Sequence, residues 1–574
     1  MKLQQLRIID VMFLLAILLG ISVRFLRIGV APLSDFEAER ALQALAISKG
    51  EEVAIGSQPG YVLLTGLFFF IFGNANAIAR LLPAIAGSLL VALPYFFRNQ
   101  LGTKAALIMA FGLALDPGLV ALSRLAGGPM IAAGLGAAAF AFWFAGIPAI
   151  AGVLGGLALL GGPAMFHGAL GAVLALGLGW MLINFNSLEG FELKNHSARS
   201  KNEWRQPVIA GIIAVFLLGT LFFVYPSGLT ALVGSLPLYL NGWLTGSGVP
   251  ASRLAAALVV YQPVALIFGL AAMVRGWVKK SKLLRWLSIW VLSSFALVLI
   301  YPNREVGDLV WVLLPLWSLA SLEIARQLQS QEVERLPALG QATLVVVLIV
   351  LAWINLAGLN LSGVDEQVYR LRWAVIGGVL ALIAITTGLV ALGWSATIAQ
   401  RGLAWGLGLS LSIYLAATLW SVSQLRGNGE QELFSPPPAT QQTELLMDTL
   451  GDLAEFRTGR RDTLDMVVTV QKPSVRWALR NWNELYFADT VAVGELPSAV
   501  LSSGDDPSPR FSVSYRGQDF AWSVHPAWDG ALPPNWPNWL TFRGAPQRTE
   551  PIILWVRGDI FPGGTLATVE EDQK

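Results

Sequence analysis

The sequence contains no cysteine and only three histidines among its 574 residues. Without thiols the chain can form neither a disulfide bond nor a thiolate metal site. The histidines, His167, His196 and His525, are far apart in the sequence, which argues against a histidine-based metal centre. The composition therefore predicts no metal site built on either residue type.

Charged residues are also scarce. They make up 13% of the chain, whereas soluble globular proteins contain about 25%. Hydrophobic residues reach 55%, and the mean hydropathy is +0.60. Because the formal net charge is only +2, the chain has no strong overall attraction for polyanions, and we predict no nucleic-acid partner.

Apolar runs of membrane length recur from residue 8 to residue 422. Candidate spans lie near 8–26, 77–97, 104–122, 128–146, 149–163, 167–185, 207–225, 255–274, 286–301, 309–325, 342–360, 373–393 and 403–422. The first run lacks a small-residue cleavage site, so we expect a retained helix and not a signal peptide. We predict an all-α polytopic membrane protein with about 13 transmembrane helices, surrounded by membrane lipids.

Charge placement suggests the orientation of the chain. The run Gly60–Phe72 is short and follows Pro59, which is typical of an interfacial or re-entrant helix. If it does not cross and the N-terminus is cytoplasmic, Lys and Arg are more frequent in the inner connections, as the positive-inside rule requires. We therefore predict a multi-pass plasma-membrane protein with its first outer loop at 28–76 and its C-terminus outside.

The composition changes near residue 425. We predict a transmembrane domain over 1–424, a linker over 425–440 that Pro436–Pro438 stiffens, and a small extracytoplasmic α/β domain over 441–574. Within that domain we predict strands at Val467–Val470, Thr490–Val493 and Ile552–Val556, a helix at Ser474–Trp482, and a frayed tail at 563–574.

The most informative segment follows the first apolar run. Ser34, Asp35 and Glu37 precede small and apolar residues at helical spacing, which predicts a short amphipathic helix lying along the membrane. Ser34 and Glu37 fit a capping box, in which Asp35 merely favours the positive end of the helix. Alternatively, Asp35 accepts a proton from an attacking hydroxyl, because a carboxylate at the membrane surface can meet both a lipid-borne and a water-borne substrate.

Two further sets of polar residues are candidates. Asp116 precedes Pro117 at membrane depth, where a carboxylate costs roughly 2.5–3.5 kcal/mol, so it is either functional or part of a kink near the surface. Arg304 lies in a predicted outer loop, where a guanidinium can bind a lipid phosphate. It can equally pair with Glu305 or Asp308.

The order of these motifs resembles a known class of enzymes. The acidic segment is followed by Gly56-Ser-Gln-Pro-Gly-Tyr61, by a short apolar helix ending at Phe72-Gly73, and by Ala79-Arg80-Leu-Leu-Pro-Ala-Ile-Ala-Gly87. Over about residues 1–330 this order is similar to that of GT-C membrane glycosyltransferases, in the bacterial protein-mannosyltransferase and aminoarabinose-transferase group (glycosyltransferase family 39). The segment Leu122-Ser-Arg124 resembles the end of that family's third span.

The resemblance implies a function. The chain would move a sugar from a polyprenyl-phosphate donor to an extracytoplasmic acceptor, with inversion, in the cell envelope. Asp35 would be the general base, and Glu37 would orient the donor or a divalent cation. The remaining candidate site residues are Arg304, Arg80 and Arg124 for the donor phosphate, with Asp116, Tyr61 and Asp308 as further candidates.

Three positions depart from the family pattern. Phe36 stands where the family has Asp, Gly128 where a second acidic residue is common, and Gly162 where a basic residue is common. These departures keep open a second hypothesis, a catalytically degenerate relative that acts as an assembly partner in envelope glycan or lipid machinery. A transporter fits less well, because the spans are almost free of ionisable residues.

Overall fold

The structure is a computed structural model. It describes residues 8–183, 204–329, 335–361, 365–423, 425, 432–434, 439–492, 494–505, 511–528 and 532–561. The predicted linker prolines and the predicted frayed tail lie outside these ranges.

In the described residues before the linker, the chain forms twenty α-helices. They are α1 Ile8–Phe25, α2 Asp35–Ser48, α3 Pro59–Phe72, α4 Asn76–Ala79, α5 Leu81–Ala92, α6 Arg98–Leu101, α7 Thr103–Leu115, α8 Pro117–Ser123, α9 Met130–Phe144, α10 Pro148–Leu159, α11 Pro163–Ile183, α12 Arg205–Gly219, α13 Ser227–Asn241, α14 Ala251–Tyr261, α15 Pro263–Val278, α16 Lys282–Ile300, α17 Val310–Gln329, α18 Arg335–Gly358, α19 Glu366–Gly393 and α20 Ala396–Val422. Short 3-10 turns lie at Leu93–Tyr95 and Val306–Leu309.

The helices confirm a polytopic membrane protein. Within the described residues, seven helices are long and apolar enough to cross a membrane, and two bent pairs bring the number to nine. Five shorter apolar helices accompany them. Each of the thirteen predicted spans falls on a helix or a bent pair, and the number of helices that cross stays a prediction. Helix α3 has 14 residues, in agreement with the predicted short helix.

Both bent pairs break at a proline. The pair α7–α8 bends by 55° before Pro117, and the pair α14–α15 bends by 93° before Pro263. Proline has no N–H to donate and its ring crowds the preceding turn, so it begins the second helix instead of continuing the first.

Among its described residues, the C-terminal domain contains a six-stranded mixed sheet of order β1-β5-β6-β4-β2-β3. Its strands are β1 Ala439–Thr440, β2 Thr463–Val468, β3 Asn483–Phe487, β4 Ala499–Ser503, β5 Tyr515–Pro526 and β6 Gln547–Arg557. Its helices are α21 Thr443–Thr458, α22 Pro473–Ala478 and α23 Trp536–Phe542. Strand β2 pairs in parallel with β3 and β4, and the other pairings are antiparallel.

This domain confirms most of the predicted elements and corrects one. Strand β6 contains Ile552–Val556, β2 overlaps the first predicted strand, and α22 begins at the predicted helix but ends at Ala478. The predicted strand at Thr490–Val493 is wrong, since Thr490–Ala492 are not in a strand and Val493 lies outside the described residues. The strand forms at β3, because Leu485 and Phe487 have the alternate spacing that packs against the domain core.

The C-terminal domain docks on the membrane helices at two places. Trp477 of α22 is buried in the core formed by α2 and α3. Trp528 and Trp539 join the main transmembrane core, together with Leu433 and Phe434 of the linker. The first loop, residues 28–76, is therefore held between the membrane helices and the C-terminal domain.

Candidate functional site

The start of helix α2 confirms the predicted capping box. The Ser34 hydroxyl accepts a hydrogen bond from the backbone N–H of Glu37, and the Glu37 carboxylate accepts from the backbone N–H of Ser34 at 3.1 Å. The two contacts satisfy backbone donors that a helix start otherwise leaves unpaired. They also hold the Glu37 side chain inside the protein, where 3% of the side chain is exposed.

Glu37 is the centre of a buried ion pair. Its Oε1 lies 2.8 Å from Nε of Arg80 and its Oε2 lies 2.9 Å from Nη2, so the pair is bidentate. Oε1 also accepts from the backbone N–H of Ala126 at 2.9 Å. Burial alone raises the pKa of Glu37, but the Arg80 charge and these hydrogen bonds outweigh it and hold the pKa below its usual range.

Arg80 has all five of its guanidinium donors occupied. Two bind Glu37, and the others donate to the carbonyls of Ile28, Ala31 and Pro32 at 2.8–3.0 Å. A guanidinium has five N–H groups, so none remains for a lipid phosphate. The arrangement indicates that Arg80 and Glu37 fold the first loop against helix α5.

Arg124 and Arg24 donate hydrogen bonds to the free carbonyl groups at helix C-termini. Nη1 of Arg124 lies 2.9–3.1 Å from the carbonyls of Val23, Arg24 and Leu26, at the C-terminus of α1. Arg24 in turn donates to the carbonyls of Leu113 and Ala114 at the end of α7. Terminal helix carbonyls have no partner in their own helix, and cations there are stabilising. Arg124 therefore has a structural use at the place where we predicted phosphate binding.

The Asp116 carboxylate connects the α7–α8 break to the α14–α15 break. Its carboxylate accepts from the backbone N–H of Leu119 at 2.8 Å, from Gln262 at 2.9 Å and from the Trp317 indole at 2.6 Å. It is fully buried. Asp116 caps helix α8 and ties this break to the break at Gln262, as in the kink interpretation of the sequence.

Asp35 faces the C-terminal domain. It is partly buried, and its Oδ1 accepts a hydrogen bond from the backbone N–H of Ser474 at 2.9 Å. Ser474 also lines a cleft of about 300 Å³ between the first loop and this domain, with Asn76, Trp477 and Arg480 among the other walls. Asp35 of α2 and Arg80 at the start of α5 thus use different partners, and the structure pairs Asp35 with a backbone amide.

Arg304 forms no ion pair with Glu305 or Asp308, the two carboxylates beside it in the sequence. Arg304 donates from Nε to the carbonyl of Tyr301 at 2.8 Å. Asp308 accepts from the backbone N–H of Glu305 at 2.9 Å, and the two carboxylates complete a capping box around a 3-10 turn.

Tyr61, another candidate site residue, is buried and donates to the carbonyl of Ala79 at 2.9 Å, which fixes α3 against α4.

Arg40 of α2 is not among the predicted site residues. Its guanidinium carbon lies 3.8 Å from the centre of the Phe36 ring, and its Nη1 donates to the Phe36 carbonyl at 2.8 Å. Glu305 is the carboxylate that acts most strongly on the Arg40 charge. Glu305 is accessible to solvent, yet protein surrounds it closely enough to raise its pKa. The i, i+4 spacing of Phe36 and Arg40 is the signal that could have identified this pair.

Two of the departures from the family pattern have a steric explanation or consequence. A Cβ at Gly162 would lie 2.0 Å from the carbonyl oxygen of Ser57, and Gly162 has φ +78°, so no basic side chain fits there. A Cβ at Gly128 would meet nothing within 4 Å. The space beside Gly128 is therefore open, although its φ of +80° favours glycine.

Groups of three or more His, Asp or Glu that could hold a metal ion do not occur among the residues that the structure describes. A divalent cation, which the resemblance allows, stays a prediction.

The comparisons with known proteins identify the fold. No family model and no curated protein matches this chain. Two solved structures of ArnT from Cupriavidus metallidurans are similar to it, one bound to undecaprenyl phosphate and one in the apo state. Their TM-scores are 0.54 and 0.50, and each likeness covers 95% of this chain and 98% of ArnT at 14% sequence identity. The chain has an ArnT-like fold over 95% of its length, which confirms the fold class that the motif order implied.

Proposed function

We propose that the protein is a membrane glycosyltransferase that takes its sugar from a polyprenyl-phosphate donor. The observation that carries this proposal is the ArnT-like fold, which extends over the membrane helices and the C-terminal domain alike. ArnT itself has been seen with undecaprenyl phosphate. A lipid-linked donor suits a chain whose candidate carboxylate lies on a loop packed against membrane helices.

In the proposed reaction Asp35 is the general base. The acceptor hydroxyl attacks the anomeric carbon, its proton passes to Asp35, and the bond from that carbon to the phosphate oxygen breaks with inversion. The leaving lipid phosphate then takes up the developing negative charge, which a nearby cation would stabilise. The backbone N–H of Ser474 holds one Asp35 oxygen, and the other is available to receive the proton. The acceptor would approach through the cleft beside Ser474.

The orientation belongs to the same proposal. With the N-terminus cytoplasmic, the first loop and the C-terminal domain lie on the extracytoplasmic side, where polyprenyl-phosphate sugars are used and nucleotide sugars are absent. The positive-inside bias of the loops supports this orientation.

Replacing Asp35 tests the proposal. We expect Asp35→Asn to lower sugar transfer by about 10²–10⁴-fold, because a positioned base contributes that much. The amide oxygen of Asn can still accept from Ser474, so the domain contact should persist. Transfer is measured with purified protein in liposomes and a panel of polyprenyl-phosphate sugars.

The matched control is Glu39→Gln, since Glu39 is exposed in the same helical turn. It should transfer within twofold of the unmodified protein. Unchanged transfer by Asp35→Asn, with transfer by the unmodified protein measurable, would rule out the base assignment.

A second function is favoured by the occupied side chains. Glu37, Arg80 and Arg124 are engaged inside the protein, and Phe36 replaces the family's acid. A chain that binds polyprenyl phosphate without transferring sugar, as an assembly partner, also fits these contacts. It predicts saturable lipid binding and no release of sugar from any donor of the panel.

A further inference from the structure

Position 36, which is acidic in the family that the motifs resemble, is Phe36 in this chain and contacts the cation of Arg40. Phe36 and Arg40 are one helical turn apart on α2, and the Arg40 guanidinium lies over the Phe36 ring at 3.8 Å. An aspartate at position 36 would stand at the i, i+4 spacing at which carboxylates neutralise arginines. Phe36 instead gives the guanidinium a flat platform. Arg40 has no ion-pair partner among the described residues, and Glu305 acts on its charge from a greater distance.

Arg40 uses far less of its guanidinium than Arg80 or Arg124. The structure records one hydrogen bond from it, to the Phe36 carbonyl, and no ion pair with any described residue. The partly buried side chain keeps free donors in the plane of the guanidinium, because stacking on a ring occupies only its face. Burial lowers the pKa of Arg40, but a guanidinium is still charged at physiological pH.

The neighbouring turn makes room for Arg40. A Cβ at Gly127 would lie 2.7 Å from Cδ of Arg40, and Gly127 has φ +93°, so glycine is needed there. Gln58 fixes the turn by accepting from the backbone N–H of Gly128 at 3.1 Å and donating to its carbonyl at 3.3 Å. The space at the Cβ position of Gly128 is open. The Arg40 stem passes beside Gly127 and its guanidinium lies over Phe36, so the surrounding residues hold this cation in one position.

We infer that Arg40, held on Phe36 and cleared by Gly127, binds the phosphate of the ligand at the first loop. The chemistry is a phosphate ester, since guanidinium hydrogens match phosphate oxygens two at a time. The phosphate belongs either to a polyprenyl lipid or to a soluble molecule. The inference rests on the proposed ligand class but not on sugar transfer. Arg40 takes the place of Arg80 and Arg124 as the proposed phosphate-binding cation.

The experiment measures binding to the full chain in nanodiscs. The probes are polyprenyl monophosphate, polyprenol of the same length, and inorganic phosphate as competitor. Arg40→Met should weaken polyprenyl monophosphate binding by about 10-fold or more, the value of a charge-assisted hydrogen bond, and leave polyprenol binding unchanged. Phe36→Leu should weaken it by about threefold, because the platform is lost and the cation is kept.

Control variants and outcomes separate the alternatives. Lys49→Met removes an exposed cation from the end of the same helix and should have no effect. Competition by inorganic phosphate as strong as that by the lipid would assign the site to soluble phosphate esters, and weak competition would assign it to the lipid. Normal binding by folded Arg40→Met, or a loss seen only with Arg304→Met, would overturn the inference. If binding depends on phosphate and on Arg40 but no sugar is transferred, the inference about Arg40 is supported and the proposed transfer is wrong.

Discussion

Glu37→Ala should destabilise the protein by about 3–5 kcal/mol, because it leaves the buried Arg80 charge without its partner. The loss should appear as a low yield of monodisperse protein and a lower midpoint of thermal unfolding, followed by tryptophan fluorescence in detergent. The contribution of the pair is present at neutral pH and is lost as pH falls through the depressed pKa of Glu37. Loss of activity in this variant would therefore report unfolding and not catalysis.

A second variant distinguishes an ion pair from general packing. The double variant Glu37→Ala with Arg80→Met removes both charges and should be more stable than either single change. Glu39→Ala is the matched control, since its side chain is exposed and should change the unfolding midpoint little. A Glu37→Ala midpoint equal to that of Glu39→Ala would contradict the structural assignment of the pair.

Arg543→Ala should release the C-terminal domain from the membrane helices, again at a cost of about 3–5 kcal/mol. Arg543 lies 3.0 Å from Glu432 of the linker, and Glu432 also accepts from Tyr261 and Ser421. Both charges of the pair are buried. Among the described residues, removal of Arg543 leaves the buried Glu432 carboxylate with the hydroxyl groups of Tyr261 and Ser421.

Limited proteolysis and thermal unfolding measure this release. We expect faster cleavage in the 425–440 linker and a lower unfolding midpoint for Arg543→Ala. Arg548→Ala, in the same domain, is the control because Arg548 is exposed. Equal cleavage rates in the two variants would show that the Glu432 contact does not hold the domain.

Local patterns were predictable because their partners are close in sequence. The capping box of Ser34 and Glu37 spans four residues, and the short helix that begins at Pro59 follows from its own composition. The break at Asp116 follows from Pro117. The strand predicted at Thr490–Val493 failed for the opposite reason, since β3 is selected by its pairing with β2 and by packing on the domain core.

Whether the charged side chains of the site are free to bind a ligand could not be predicted from local patterns. Arg80 binds Glu37 across 43 residues of sequence, and Asp35 meets Ser474 across 439. Whether an arginine binds a phosphate or closes a helix depends on which carbonyls the fold brings to it. Arg40 differs from Arg80 only in its surroundings, which no sequence spacing describes.

The sequence by itself determined a polytopic helical membrane protein with a small C-terminal domain, a capped helix in its first loop and a GT-C-like order of motifs. These follow from hydropathy and from contacts within one helical turn. The tertiary structure alone decided that Glu37, Arg80, Arg124 and Asp116 are engaged inside the protein, and that Arg40 keeps unused donors. A charged group is free or engaged according to the donors and acceptors that packing places around it, and those come from distant parts of the chain.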